Sequence, residues 1–463
     1  MNRLKKISMN RLKKISMSAV MVIFIAAFLI IKVFDVKIYR TPEKVIAWDV
    51  INFYSYLPAT FIEHDLTLTY VWTDTNYYQH YWAETLPDGR LIIKTTMGLS
   101  MLYCPFFLVA NAIAQEPPLS GHGGFGPPYA LALILACVFW VILGFIFLRK
   151  VLLKRFSETV TTIVLGVTLF ATNLLWYSSY EAPYSHGFLF GLICIFLYQT
   201  ERWHDKQSWW CTVAIGLNLG IISLIRPTNA LVLFYFILYN VATWQELKDK
   251  FSLYLQQWPK ILVMAISAFA VWVPQMLYWH AITGHFLFYS YTNNERFFWG
   301  NPRIFEGLFS FRKGWLIYTP SMVFALIGFV PLYRHHRHDF HGILVFLILN
   351  MYVLWCWWCW WFGGCFGQRS MVDCYGMLAI PMAAFVEWML KRKTVPRIIL
   401  IVVFAAISYL SFFQHEQYKH KAIHYEAMTR EAYFDSFGHK YPSQRFPSLL
   451  EFPDYEAAKH GIR

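Results

Sequence analysis

Asp49 is the acidic residue whose surroundings most strongly indicate chemistry. It stands in the stretch Ala-Trp-Asp-Val-Ile-Asn-Phe-Tyr-Ser-Tyr-Leu-Pro, among aromatic and apolar residues and soon after the first apolar block of the chain. A carboxylate beside apolar rings at a membrane surface is poorly solvated, which raises its proton affinity and suits it to act as a base. An Asp before Val-Ile-Asn-Phe-Tyr is equally a good helix N-cap. The stretch therefore predicts either a catalytic base or a helix cap.

Further acidic and imidazole groups fall near membrane edges. Glu181 and His186 share the short stretch Ser-Ser-Tyr-Glu-Ala-Pro-Tyr-Ser-His-Gly between two apolar blocks, and Asp65 follows Asp49 in the same long connector. Ionisable groups at the edge of a membrane are functional candidates by default. We therefore treat Glu181, Asp65 and His186 as candidate functional residues.

Basic residues on the side of the membrane where they are otherwise scarce form the third candidate group. The planar guanidinium of arginine matches phosphate oxygens, and a lysine at the start of an interfacial helix suits a lipid phosphate. The structural alternative for each arginine is an ion pair with Asp373, Glu181 or a lipid headgroup. The alternative for Lys94 is snorkelling, in which the long side chain carries its ammonium group to the membrane surface. The group consists of Lys94, Arg226, Arg312, Lys313 and Arg369.

The elements that must position these groups are apolar blocks of bilayer length. The chain of 463 residues is 57% hydrophobic and 14% charged, whereas a soluble chain is about a quarter charged. A span needs about 20 mainly apolar residues. Twelve blocks qualify: 18–35, 98–115, 128–148, 159–179, 184–200, 209–225, 228–244, 261–280, 317–333, 342–362, 374–390 and 397–413.

The basic residues set the predicted orientation, because cytoplasmic connectors collect Lys and Arg. If every block crossed, the basic segment 149–155 would lie outside. Block 98–115 is interrupted by Pro105 and Asn111 and is better explained as a helix in the outer interface. Eleven spans follow, with the N-terminus in the cytoplasm and the C-terminus outside. The outer segments are then 36–127, 281–316 and a polar tail, 414–463, which we expect to pack on the outer face.

The charge balance is therefore a topology signal. The net charge of +13 arises mainly in the cytoplasmic connectors and in the N-terminal stretch, where an eight-residue basic unit is written twice from Met1 and Met9. The first outer loop carries eight acidic and five basic residues. This distribution argues against nucleic acid as a partner and indicates membrane lipids instead.

Cysteine and metal-binding patterns are weak. Of the eight Cys residues, Cys356 and Cys359 have CxxC spacing inside a Trp-rich block, where packing explains them. Cys365 and Cys374 flank an outer turn and could pair in an oxidising compartment. The sequence contains no P-loop, GxGxxG or HExxH motif. No cofactor is predicted with certainty, and a divalent metal remains possible.

Four stretches in order resemble the GT-C fold glycosyltransferases, especially the bacterial relatives of protein O-mannosyltransferases and aminoarabinose transferases. They begin at Asp49 (Asp-Val-Ile-Asn-Phe-Tyr), Lys94 (Lys-Thr-Thr-Met-Gly, with Pro-Phe-Phe beyond), Tyr184 (Tyr-Ser-His-Gly) and Phe309 (Phe-Ser-Phe-Arg-Lys-Gly). Two positions depart from the family pattern: Val50 replaces the second acid of an early pair, and two threonines replace a Pro-Pro after the lysine.

The resemblance implies a GT-C-like domain over 1–413 and an inverting transfer of a sugar from a polyprenyl-phosphate donor. The acceptor would be a hydroxyl of a glycan, lipid or protein at the outer face of a bacterial inner membrane. On this resemblance Asp49 is the acid that deprotonates or orients the acceptor, Lys94 lies near the lipid phosphate, and Glu181 is the second acid. Arg312, Lys313 and Arg369 would bind the donor phosphate with it.

Three other functions compete with this one. A transporter of a lipid-linked or small substrate predicts inverted repeats and charges in the middle of spans, and the sequence has no evident repeat and few such charges. An O-antigen ligase or polymerase would carry its large loop late in the chain. A scaffold without chemistry would not need the basic residues placed outside.

Overall fold

The computed structural model describes residues 16–72, 81, 83–114, 123–291 and 295–463, and these are predominantly α-helical. The repeated N-terminal unit lies outside the described residues. The α-helices are Met17–Val36, Pro42–Val45, Asp49–Tyr54, Tyr56–Phe61, Gly98–Ala114, Pro127–Leu153, Glu158–Phe170, Leu174–Tyr177, Ser185–Lys206, Trp209–Ile225, Leu233–Ile237, Trp244–Gln256, Trp258–Thr283, Ile304–Phe309, Trp315–Tyr318, Met322–His335, Arg337–Cys356, Tyr375–Leu390, Thr394–Lys419, Arg430–Ser436 and Tyr455–Lys459.

Short 3-10 helices and one small hairpin complete the described secondary structure. The 3-10 segments are Ile38–Arg40, Thr69–Trp72, Pro227–Val232, Arg369–Cys374 and Phe446–Leu449. The strands Glu84–Thr85 and Leu91–Ile92 pair antiparallel, with Glu84 opposite Ile92. Gly89 takes the left-handed φ of 85° that their tight turn requires.

Six helical segments of the described chain are long and apolar enough to cross a bilayer. They are Met17–Arg40, Pro127–Leu153, Trp258–Thr283, Arg337–Cys356, Arg369–Leu390 and Thr394–Lys419. Shorter apolar helices lie among them, Glu158–Phe170 and Trp209–Ile225 included. The prediction of an all-helical, multi-pass membrane protein is confirmed; the number of eleven spans remains a prediction.

Three predicted spans are wrong in their continuity. Block 159–179 ends its helix at Phe170, and Ala171–Asn173 separate it from Leu174–Tyr177. Block 228–244 is a 3-10 turn and a five-residue helix, which stop before the left-handed Asn240 (φ 61°). Block 317–333 is divided between the helices Trp315–Tyr318 and Met322–His335, and Pro320, which has no backbone N–H to donate, lies in the break.

Polar side chains bound to distant segments stabilise two of these breaks. Asn173 accepts a hydrogen bond from the hydroxyl of Tyr375 (2.6 Å), and its Nδ2 donates to the carbonyl of Phe366 (3.2 Å). The backbone N–H of Ser321 donates to Oγ of Ser411 (3.1 Å). These hydrogen bonds give partners to buried polar groups at the breaks. The interruptions are therefore part of the packed structure.

The helix Gly98–Ala114, expected to lie in the outer interface, packs closely on its neighbours. A Cβ at Gly98 would come within 2.6 Å of the backbone nitrogen of Ile225, so only glycine permits this approach. Its position relative to the membrane stays a prediction.

Charged connectors assigned to the cytoplasm meet at one end of the bundle. Arg155 contacts Asp339 (2.6 Å) and Glu201 (2.5 Å), although these residues come from three different connectors. At the N-terminus Ser16 accepts a hydrogen bond from Arg149 (2.8 Å). The connectors grouped by their charge in the sequence are thus grouped in space.

The C-terminal segment folds back on the opposite end. Nη1 of Arg463 donates to the carbonyls of Cys356 (3.1 Å) and Trp357 (2.8 Å), and the N–H of Cys365 donates to the carbonyl of Tyr425 (3.0 Å). The helix Thr394–Lys419 passes through the predicted boundary at 413 without a break.

Candidate active site

Asp49 is the first residue of the helix Asp49–Tyr54 and does not cap it. The preceding Trp48 holds the cap position, without a side-chain hydrogen bond to the helix, at φ 52° and ψ −131°. Such a backbone is unusual for a non-glycine residue and costs about 1–3 kcal/mol, a strain that often marks functional sites. The carboxylate of Asp49 instead accepts a hydrogen bond from Nη2 of Arg369 at 2.7 Å. The helix-cap alternative is therefore not the one adopted.

Arg369 reaches Asp49 from a tightly wound turn. Phe362, Gly363 and Gly367 all have left-handed φ values, of 58°, 70° and 58°. The side chain of Arg369 is 11% exposed, and its guanidinium lies 5.3 Å from the ring centroid of Tyr184. Its Nε is buried and has no hydrogen-bond partner among the described residues. The turn thus presents a nearly buried cation to a half-exposed carboxylate.

Glu181 lies within electrostatic reach of this ion pair. Burial raises the pKa of its carboxyl group, the positive charges of Arg369 and Lys313 oppose that rise, and the charge of Asp49 adds to it. Oε2 of Glu181 is buried and lacks a hydrogen-bond partner among the described residues. A buried carboxyl group with a raised pKa holds a proton more readily than an exposed one and is a candidate for proton exchange.

A second charged cluster is centred on Asp373. This residue is 2% exposed; its two oxygens contact Nδ1 of His186 (2.7 Å), Nδ2 of Asn229 (2.8 Å) and Nη1 of Arg226 (3.4 Å). Arg226 ends its helix because it precedes Pro227, which disfavours a helical backbone at that position. The structure thus realises the pairing of Arg226 with Asp373 that the sequence left open, and it places His186 behind that pair.

The guanidinium of Arg226 is only partly engaged by this cluster. Its side chain is 21% exposed, the contact with Asp373 is long, and the ring of Phe362 lies 5.6 Å away. The pKa of Tyr291 is raised to about 12, chiefly by burial and also by the charge of Asp49, while the positive charges of Arg226 and Lys94 oppose the rise. Tyr291 therefore lies among these three charged groups. Nothing in the sequence around Tyr291 or Asn229 signals their place in the site.

Lys94 lies beside the site but carries its own acidic partners. Its ammonium is 2.9 Å from Oε1 of Glu295 and 3.0 Å from Oε1 of Glu84, and 5.3 Å from the ring of Tyr291. Burial lowers the pKa of Lys94, but the two carboxylates favour its charged form more strongly, so the pKa is raised overall. A phosphate at Lys94 would have to compete with both acids, so its predicted phosphate contact remains a prediction.

Arg312 and Lys313 hold backbone carbonyls. Nη1 of Arg312 donates to the carbonyls of Glu426 and Glu451, each at 3.0 Å, and so fastens the C-terminal segment. Lys313 is 1% exposed and donates to the carbonyls of Cys365 and Tyr425. Their predicted phosphate contacts stay untested, and the proposal below does not use them.

Asp65 stabilises its own loop. Its oxygens accept hydrogen bonds from the backbone N–H groups of Thr67 (2.7 Å) and Thr69 (2.9 Å) and from both threonine hydroxyls. Burial raises the pKa of Asp65, but these hydrogen bonds outweigh burial, so the pKa is lowered overall. The contacts are those of a turn-forming aspartate, so the proposal leaves Asp65 out.

The site is poorly suited to a divalent metal. Arg369 engages the carboxylate of Asp49, and the next residue, Val50, offers no ligand. Over the described ranges no three His, Cys, Asp or Glu side chains group as metal ligands would. Cys365 and Cys374 are buried free thiols in this structure.

Comparison with solved structures gives distant likenesses. Neither a family model nor a curated protein sequence matches the chain. A crystal structure of the Archaeoglobus fulgidus oligosaccharyltransferase in the apo form aligns with a TM-score of 0.47 and 12% identity, over 97% of this chain and 64% of that one. The archaeal oligosaccharyltransferase AglB from Archaeoglobus fulgidus, in complex with an inhibitory peptide and a dolichol-phosphate, aligns with a TM-score of 0.46 and 13% identity, over 94% and 61%. This chain spans less than two thirds of either protein, and at these scores neither likeness carries an argument about fold or function.

Proposed function

We propose that the protein is a GT-C-type membrane glycosyltransferase that moves a sugar from a polyprenyl-phosphate donor to an acceptor hydroxyl. The observation that carries the proposal is the meeting of Asp49 and Arg369, which are 320 residues apart in the sequence, with Glu181 nearby. A second arginine, Arg226, lies within electrostatic reach of Tyr291, as Asp49 does. Acids for proton transfer and cations for a phosphate thus lie together at one end of a bundle of apolar helices.

The proposed reaction is a single displacement at the anomeric carbon. The acceptor oxygen forms a bond to that carbon, and the bond from the carbon to the phosphate oxygen breaks. The electron pair of the broken bond leaves with the lipid phosphate, while the hydroxyl proton passes to the carboxylate of Asp49. Attack opposite the leaving group inverts the anomeric centre. Glu181, with its free buried oxygen, is proposed to orient the acceptor.

The leaving phosphate is already anionic and needs a fixed cation more than a proton. Arg226 meets this need best, because Asp373 holds its guanidinium by one long contact and leaves other N–H groups to donate. Donors preorganised at a site of developing charge are usually the largest catalytic contribution. We propose Arg226 as the main ligand of the donor phosphate. We propose also that the lipid chain of the donor enters the site past Lys94.

The direct test is transfer in proteoliposomes. Purified protein reconstituted with polyprenyl-phosphate hexoses or pentoses and a membrane glycan fraction should release the polyprenyl phosphate and glycosylate the acceptor, detected by mass spectrometry. Loss of one surface glycan on gene deletion would identify the acceptor. Uptake of an intact substrate without cleavage of the sugar–phosphate bond would favour the transporter instead.

We also propose that the site end faces outward from a bacterial inner membrane, with the N-terminus in the cytoplasm. Asp88 at the hairpin and Lys391 at the basic end have side chains 48% and 68% exposed. An impermeant maleimide should label Asp88→Cys in intact spheroplasts, and Lys391→Cys only after permeabilisation. The unsubstituted protein gives the background from its eight thiols. The reverse pattern would invert the topology.

A further inference from the structure

We propose that Arg369 is a built-in cation that takes the place of a divalent metal ion at Asp49, so that the site works without one. The inference rests on the proposed function only in assigning Asp49 to the reaction. Its first support is the contact itself: Nη2 of Arg369 lies 2.7 Å from Oδ2 of Asp49, at the distance of a charge-assisted hydrogen bond.

Arg369 is held where it is and is not a mobile surface arginine. A Cβ added at Gly367 would come within 2.9 Å of Cβ of Tyr318, so the turn is pressed against its neighbours. Phe366 donates its N–H to the hydroxyl of Tyr177 (2.9 Å), and Nε2 of Gln368 donates to the carbonyl of Trp360 (3.2 Å). The turn therefore delivers the guanidinium as a fixed group.

Fixed cations already serve the acidic groups without a metal. Arg369 contacts the carboxylate of Asp49, and the charges of Arg369 and Lys313 act on the carboxyl group of Glu181. Lys313 cannot leave easily, because it is buried and donates to two carbonyls. A divalent ion at Asp49 would approach the fixed guanidinium of Arg369, and the two positive charges would repel each other.

The ligand set points the same way. Mg²⁺ and Mn²⁺ take octahedral oxygen coordination, which one or two free carboxylates complete with waters. Asp49 offers one carboxylate, one oxygen of which binds Arg369, and Val50 is a buried apolar side chain. Removing the guanidinium of Arg369 would free this oxygen and leave two acids facing one lysine. That change should create a cation site that the natural protein lacks.

The experiment is a Mn²⁺ titration followed by electron paramagnetic resonance of the free ion, on purified protein in detergent without substrate. Unsubstituted protein and Asp49→Asn should bind the same amount of Mn²⁺. Arg369→Ala should bind one additional ion, which the double variant Asp49→Asn with Arg369→Ala should lose. Arg445→Ala, which removes an exposed arginine paired with Asp435, should gain none.

Two results would overturn the inference. One is Mn²⁺ binding by the unsubstituted protein that Asp49→Asn abolishes, and this comparison needs no variant at Arg369. The other is a folded Arg369→Ala protein, judged by gel filtration, that gains no ion. Because no transfer is measured, failure of the proposed glycosyltransferase activity would leave either result interpretable.

Discussion

Replacing Asp49 by Asn should reduce sugar transfer by about 10²–10⁴-fold, the usual contribution of a positioned proton acceptor. The substitution keeps the size of the side chain, and its amide oxygen can still accept the hydrogen bond from Arg369. What it removes is the ability to take the proton of the acceptor hydroxyl. The loss should therefore appear in kcat, with little change in the KM for the lipid donor. Initial rates of transfer in proteoliposomes, at several donor concentrations, measure both quantities.

The matched control is Asp88→Asn, an identical chemical change in the same segment between the helices Met17–Val36 and Gly98–Ala114. Asp88 lies in the turn of the hairpin, where it is exposed and paired with Arg90. Its replacement should leave transfer, expression and membrane insertion unchanged. Transfer by Asp49→Asn within a few-fold of the unsubstituted protein would remove Asp49 as the base. The same carboxylate would then have to act only by orienting Arg369.

The apolar helices were largely predictable because a bilayer imposes a simple physical requirement. An apolar block of about 20 residues is visible in the composition of a short window, and block 209–225 agrees with the helix Trp209–Ile225 in both bounds. The interruptions were not predictable in this way. Asn173 lies in one of them, hydrogen-bonded to Tyr375 and Phe366 from about two hundred residues away, and a local window contains no such information.

The members of the candidate site could be selected from the sequence, but their arrangement could not. Asp49, Glu181, Arg226 and Arg369 are candidates because charges are rare next to apolar blocks. Which acid meets which arginine depends on how the connectors close over one another.

Residues with the same sequence signature can also have different roles. Arg312 and Lys313 have the same sequence signature as Arg369, yet they donate to carbonyls of the C-terminal segment and its neighbours. Tyr291 has no signature of its own, because tyrosines are common throughout this chain. Its position among Asp49, Arg226 and Lys94 emerges only from the fold.

Replacing Arg226 by Ala should raise the KM for the lipid donor by roughly ten- to a hundredfold, as expected for one lost hydrogen bond to a charged group. The protein should still fold, because Asp373 keeps His186 and Asn229 as partners. Arg226→Lys should recover only part of the affinity, since an ammonium cannot make the two parallel bonds of a guanidinium. Donor titrations in proteoliposomes measure the effect.

Two comparisons make the Arg226 prediction specific to the phosphate. The control is Arg445→Ala, which removes an arginine that pairs with Asp435 in the C-terminal segment and should leave KM unaltered. Inorganic phosphate should compete with the donor in the unsubstituted protein and compete less well in Arg226→Ala, because the anion loses the same ligand. If KM stays constant while kcat falls, Arg226 acts on bond breaking without binding the ground-state donor. If neither KM nor kcat changes, the donor phosphate does not bind Arg226.

The alternative phosphate site is then Lys94, where a phosphate must displace Glu295 or Glu84. In that case Lys94→Gln would raise the KM for the donor and Arg226→Ala would not.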